Sequence, residues 1–267
     1  MHILLTNDDG FFSDGLLTAY SALRSAGHRV TVCAPDRERS AQSQSVTLNK
    51  PIEVLTKPLP DGVLGYCASG TPADCARLGF TTLAGEPVDL VISGINNDTN
   101  LGFDVNYSGT VAAALEAAGE RIPAIAASLE RSAEYDWTGA GEILAGVVSQ
   151  LSSWAVPLGV MLNLNIPHKP ADRNPVWTRA YEIPAPDYFE KKILPEGLAV
   201  YTRRRGSNKL KPAEDPVRPE PDNDVALLKS GYITISPIIT ASTHLETLNR
   251  LRSWNASARP DRAEKSL

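Results

Sequence analysis

An α/β fold built on a mostly parallel sheet is what this sequence predicts, and three observations carry it. Short apolar runs alternate with stretches of helical periodicity from the first residues to about Ile166, the pattern of successive βαβ units. Runs such as Ile3-Leu4-Leu5 and Val88 to Ser93 are nearly unbroken rather than alternating, as strands buried on both faces must be. The first strand, helix and second strand also follow closely enough to form one right-handed βαβ unit.

Each element has its own justification. Ile3 to Leu5 is the opening strand. Asp14 is placed to cap a helix with Leu16, Tyr20 and Leu23 at i, i+4 and i+7, and Gly27 ends it. Val30 to Ala34 is the second strand. Arg37 to Ser45 is a polar loop where a doubly wound fold places a helix, which marks it as a working surface. Ile52 to Leu55 and Leu64 to Ala68 read as short strands around the turn Pro60-Asp61-Gly62. Thr71 caps, and Pro72 opens, a helix to about Leu83. Val88 to Ser93 is a strand running into Gly94-Ile95-Asn96. Tyr107-Ser108-Gly109-Thr110 opens the alanine-rich helix Val111 to Ala118, which must pack closely on the sheet. Ala124 to Ser128 and Leu158 to Ile166 are strands, with a helix from Gly139 to Leu151 between them.

From Pro167 the character changes. Prolines recur, Arg203-Arg204-Arg205 reads as a solvated or interface face, and Pro212 to Asp224 is proline and charge. Gly231 to Ile235 restores a strand, and Thr243 with Glu246 forms a capping box for a last helix bearing Leu245, Leu248 and Leu251. The chain is therefore expected to be one domain, 1–267. Its core is about 1–168 with 231–237, followed by an extended excursion over about 169–230 and a C-terminal helix and tail over about 238–267. Trp177, Tyr181, Tyr188, Phe189 and Tyr201 lie in the excursion, and aromatics outside a core are enriched at subunit interfaces.

Composition narrows the function classes. With 42% hydrophobic and 21% charged residues the chain is an ordinary globular protein. A net charge of −5 argues against a stable nucleic-acid complex. No apolar run reaches membrane-spanning length and no signal segment opens the chain, so a cytoplasmic protein without membrane partners is expected. Cys33, Cys67 and Cys75 lack paired spacing and read as reduced core thiols. His2, His28, His168 and His244 are scattered, which disfavours a histidine-built zinc centre.

The chemistry-bearing stretch is Asn7-Asp8-Asp9-Gly10, directly after the first strand. Two adjacent carboxylates repel each other unless a cation accompanies them, though Asn, Asp and Gly also favour plain turns. In a parallel sheet ligands bind beyond the carboxyl ends of the strands, near the point where strand order reverses. Asp8 and Asp9 follow the first strand, Ser40 lies after the second, and Asn96 ends the strand begun at Val88. These all-oxygen donors suit one magnesium, manganese or calcium ion. Ser108, Gly109 and Thr110 at a helix start offer a phosphate seat, or simply a cap. A hard cation beside an anion-binding helix end is the equipment of phosphate-ester hydrolysis. The dinucleotide-binding, P-loop and esterase-elbow motifs are absent after the first strand.

The blocks Ile3 to Gly10, Ala34-Pro35-Asp36-Arg37 through Ser40, Gly70 to Cys75, Asp89 to Asn96 and Tyr107 to Val111 closely resemble the SurE survival-protein family. Met161 to Pro167 and Gly231 to Pro237 match it more weakly. The resemblance implies a three-layer Rossmann-like core with C-terminal elements that form dimers or tetramers. It implies a divalent-metal-dependent phosphatase acting on nucleoside 5′-monophosphates, and on 3′-monophosphates as a further option. Metal ligands are expected at Asp8, Asp9, Ser40 and Asn96, and phosphate contacts at Asn7, Ser108, Gly109 and Thr110. Asp8 is the preferred general base, with Asp8 or Asp9 as a direct nucleophile the alternative. Two departures from the family pattern stand out: Asp98 occupies a position where the family usually has glycine, and 209–222 is unusually proline-rich and charged. A non-catalytic nucleotide sensor on the same fold is the competing function.

Overall fold

In the computed structural model, residues 1–154, 156–182, 187–205, 222–239 and 247 are described. The central sheet has nine strands in the order β3-β4-β2-β1-β5-β6-β7-β11-β8. They are β1 (His2–Thr6), β2 (Arg29–Pro35), β3 (Val54–Pro58), β4 (Leu64–Ala68), β5 (Leu90–Asn96), β6 (Ala124–Leu129), β7 (Val160–Ile166), β8 (Val176–Trp177) and β11 (Thr234–Ile239). From β4 across to β7 every neighbouring pair is parallel, while β3 and β11 run antiparallel to β4 and β7. The predicted mostly parallel α/β architecture is thus present.

Four helices cover the two faces: α1 (Asp14–Ser25) packs beside α4 (Trp137–Gln150), and α2 (Pro72–Leu78) beside α3 (Gly109–Gly119). The alternation of side chains along β1 explains the two layers. Ile3 and Leu5 join Leu16, Tyr20, Leu23 and Leu144 in the core under α1 and α4. Leu4, between them, faces Cys75, Val111, Ala114 and Ala118 under α2 and α3. Both cores consist of residues that are almost wholly removed from solvent.

Local differences from the sequence reading have physical reasons. Ser13, not Asp14, occupies the cap position of α1; Asp14 lies in the first turn, where a negative charge favours the helix dipole. The helix begun at Pro72 keeps its Thr71 and Asp74 capping box but is regular only to Leu78, and a π-helical turn, Gly79–Leu83, follows. Strand β3 begins two residues later than Ile52, and β11 spans Thr234–Ile239 rather than Gly231 to Ile235. The excursion contains β9 (Asp187–Ile193) and β10 (Ala199–Arg205), an antiparallel ribbon outside the main sheet, and the short helix α5 (Asp224–Lys229). The expected helix from Thr243 and the proline-rich 209–221 lie outside the described residues.

Chain order sets the ligand crevice. After β1 the chain crosses to α1 on one face, and after β5 it crosses to α3 on the other, with β1 and β5 side by side. This is a topological switch point, where the loops at the strand ends part and leave space between them.

Candidate active site

The turn after β1 is held by Asn7. Its side-chain amide donates to the Gly10 carbonyl (3.0 Å) and to Ser13 Oγ (2.7 Å), while Gly10 N–H donates back to Asn7 Oδ1 (3.2 Å). Asn7 is completely buried. Its side chain therefore closes the turn, with its amide nitrogen and its oxygen both engaged inside it.

Asp8 is 4% exposed and takes a 2.5 Å hydrogen bond at Oδ1 from Thr110 Oγ1. The start of α3 lies directly against it. A Cβ at Gly109 would come within 2.9 Å of Asp8 Cβ and 3.0 Å of Oδ2, so only glycine fits here without moving the carboxylate. Ser108 accepts from Val111 N–H (3.1 Å) as the helix cap. Of the three expected phosphate residues at the start of α3, then, one caps, one is bare backbone and one supports Asp8. Val111 N–H goes to the cap and Thr110 N–H to Asp8, so what α3 leaves for an anion is the Gly109 N–H and the Ser108 hydroxyl hydrogen. Gly109→Val would therefore displace Asp8 as well as obstruct an anion at the helix start.

Ser40 and Asn96 are brought to the same edge by backbone bonds. Arg39 N–H donates to the Asp8 carbonyl (2.7 Å), tying the loop after β2 to the turn after β1. Ser40 Oγ, next in sequence, donates to Glu38 Oε1 (2.7 Å). From β5, Asn97 N–H donates to Asp9 Oδ2 (3.2 Å), and the Asn96 amide nitrogen donates to the Asp98 carbonyl (2.5 Å), which turns its own carbonyl oxygen the other way. The four expected metal-ligating residues thus sit on linked segments at the switch point.

The electrostatics test whether a cation fits. Burial pushes the Asp8 carboxyl up from its ordinary value. Burial first, and the neighbouring Asp8 charge second, push Asp9 up to about 7. Neither forms an ion pair among the described residues. A buried and a half-buried carboxylate whose nearest opposite charge is the exposed Arg131, on segments linked to those of Ser40 and Asn96, fit a hard divalent cation. No group of three or more His, Cys, Asp or Glu suited to a metal exists among the described residues, so this two-carboxylate set differs from a zinc-type cluster.

A protein-family model, "Survival protein SurE", matches residues 3–183. The chain belongs to the SurE family. Among curated relatives, "5'-nucleotidase SurE" of Desulforamulus reducens is 35% identical over 95% of this chain and 98% of its own length. The protein of the same name from Gloeobacter violaceus is 37% identical over 89% of each chain. The crystal structure of the SurE protein from Aquifex aeolicus superposes with a TM-score of 0.80 at 30% identity, covering 96% of this chain and 100% of that one.

The SurE-type site has supports that sequence reasoning passed over. Asn100 is fastened to the sheet by its backbone N–H and carbonyl and by its side-chain amide nitrogen. Its N–H donates to Asn165 Oδ1 (2.8 Å), its amide nitrogen donates to Ser128 Oγ (2.8 Å), and its carbonyl accepts from Asn163 (2.7 Å) and Asn165 (3.0 Å). Two asparagines in an otherwise apolar β7 were the available signal. Tyr135 OH donates to the Asn97 carbonyl (2.8 Å), and Arg131 pairs with Asp98 (3.2 Å). Nothing local in the sequence links those pairs.

Proposed function

We propose that this protein is a divalent-metal-dependent 5′-nucleotidase that hydrolyses nucleoside 5′-monophosphates to nucleoside and phosphate, with 3′-monophosphates as further substrates. The observation that carries the reading is the adjacent Asp8–Asp9 pair, buried and half-buried and without an ion pair among the described residues, set against the start of α3. Relatives named 5′-nucleotidase SurE that align over nearly the whole chain support the substrate class.

Asp8, Asp9, Ser40 and Asn96 would hold one magnesium or manganese ion. When bound, the ion supplies Lewis acidity toward the phosphate. The chain's own residues do the rest. The Gly109 N–H and the Ser108 hydroxyl orient the phosphate oxygens. Asp8, held by the Thr110 hydroxyl and backbone N–H, takes the proton of the attacking water. Direct attack by Asp8 or Asp9 would instead leave label from oxygen-18 water in the enzyme after one turnover. The site is tested by phosphate release from AMP and GMP, and from 3′-nucleotides, with manganese and with chelator. Release only with metal supports the reading; none from any nucleotide contradicts it.

We assign the protein to the cytoplasm, in keeping with three buried free cysteines and with no described helix long and apolar enough to cross a membrane. We also assign a homodimer or tetramer. The β9–β10 ribbon exposes Phe189, Ile193, Leu198 and Tyr201, and an isolated two-stranded ribbon is marginal without a partner.

A further inference from the structure

The mouth of the site carries an ion pair that the proposed reaction leaves without a role. Asp98 follows Asn96 by two residues, and its carbonyl accepts the Asn96 amide hydrogen bond. Its carboxylate accepts Thr99 N–H at Oδ1 (2.8 Å) and pairs through Oδ2 with Arg131 Nε (3.2 Å). Arg131 lies two residues beyond the end of β6, whose Ser128 is in register with Asn96. Between the pair and the acid dyad is a single residue, Asn97, whose N–H binds Asp9 and whose carbonyl is held by Tyr135. The pair therefore stands on the segments that frame the crevice.

Both partners are open to solvent, with side chains 69% and 48% exposed for Arg131 and Asp98. Exposed pairs of this kind are weak, so the guanidinium exchanges readily between Asp98 and another anion. A substrate's first phosphate is claimed by the buried centre. A second phosphate, extending outward, would meet the rim, where Arg131 is the natural receptor and Asp98 its competitor.

Resting on the proposed nucleotidase reading, we propose that Asp98 restrains Arg131 and so sets the site's preference for nucleotides with one phosphate over those with two or more. With Asp98 in place the pair is neutral and a second phosphate gains little. Without the Asp98 charge, Arg131 loses its hydrogen-bonded anion and keeps only a coulombic attraction to Asp9, which the manganese ion would offset. Each added phosphate charge then gains on the order of two- to three-fold in affinity, the scale of a solvent-screened interaction across several ångströms.

Binding of the 5′-methylenephosphonate analogues of AMP and ADP, whose bond to the first phosphorus cannot be hydrolysed, to the manganese-loaded protein, measured by calorimetry, tests this apart from turnover. The proteins compared are the native chain, Asp98→Asn, Arg131→Gln and the double variant; asparagine keeps the acceptor for Thr99 N–H. In Asp98→Asn the affinity ratio of the ADP analogue to the AMP analogue should rise by about three-fold or more, and adding Arg131→Gln should erase the gain. A ratio unchanged in Asp98→Asn, or a gain that survives loss of Arg131, overturns the proposal, as does absence of binding by either analogue. Phosphate release from AMP in the native chain, assayed in parallel, reports on the nucleotidase reading separately: nucleotide binding without release would refute that reading while leaving the rim preference measurable.

Discussion

Thr110 contributes a single hydroxyl, but that hydroxyl supports the most buried acid of the site. Thr110→Val keeps the shape and removes the donor, so Asp8 should hold its proton more tightly and bind metal less well. The expected loss is about 10- to 100-fold in apparent manganese affinity, the usual effect of losing a partner behind a ligand. A titration of activity against manganese checks it, with Thr110→Ser restoring the native curve; equal affinity in the valine variant would detach Thr110 from the site. Asp9 yields a pH prediction. Its ordinary value is 3.8 and its folded value about 7, so between these the metal-free folded chain binds more protons than the unfolded one. The associated stability is complete below about pH 4 and disappears as pH rises through 7. Thermal unfolding in chelator should show a melting temperature that falls from pH 5 to pH 8, and manganese should flatten the fall. A flat profile in chelator would show that the pair is not strained.

At the scale of elements, the site depends on how loops are fastened to the sheet. Asn165→Ala would strip Asn100 of an acceptor and a donor inside the protein. With buried polar groups costing about 1–3 kcal/mol each when left unpaired, urea unfolding should show a loss of about 3 kcal/mol, together with weaker manganese binding through the Asn96 to Asn100 segment. Loss of stability with native metal affinity would confine Asn165 to the core. The sheet strands were legible because β1, β5, β6 and β7 are near-continuous apolar runs, and α3 because alanine lets it approach the sheet. The antiparallel return of β11 was not legible, since periodicity gives no strand direction. The Asp8–Thr110 bond spans 102 positions, and no local pattern encodes it. The partners of Asn7, Gly10 and Ser13, are local, but which way an amide turns depends on the fold.

For the whole molecule, topology does the assembling. The strand-end rule placed Asp8, Asp9, Ser40 and Asn96 on one edge from sequence, because parallel strands share a carboxyl end. The proposed quaternary structure rests on the later half, where Trp177, Phe189 and Tyr201 are all more than half exposed. Light scattering at micromolar concentration should give at least twice the chain mass of 28.7 kDa, and deletion of residues 243–267 should lower both the assembly state and the stability. A monomeric intact protein would contradict the assignment of the ribbon as an interface.

The central claim is that the carboxylate pair after β1 holds the metal through which nucleotide phosphate is cleaved. Manganese-dependent phosphate release from AMP by Asp9→Asn, with far-ultraviolet circular dichroism to verify the fold, tests it most directly. A folded variant with turnover reduced by more than about 100-fold, beyond what loss of a mere supporting partner costs, is the expected result; a folded variant with native turnover would contradict it.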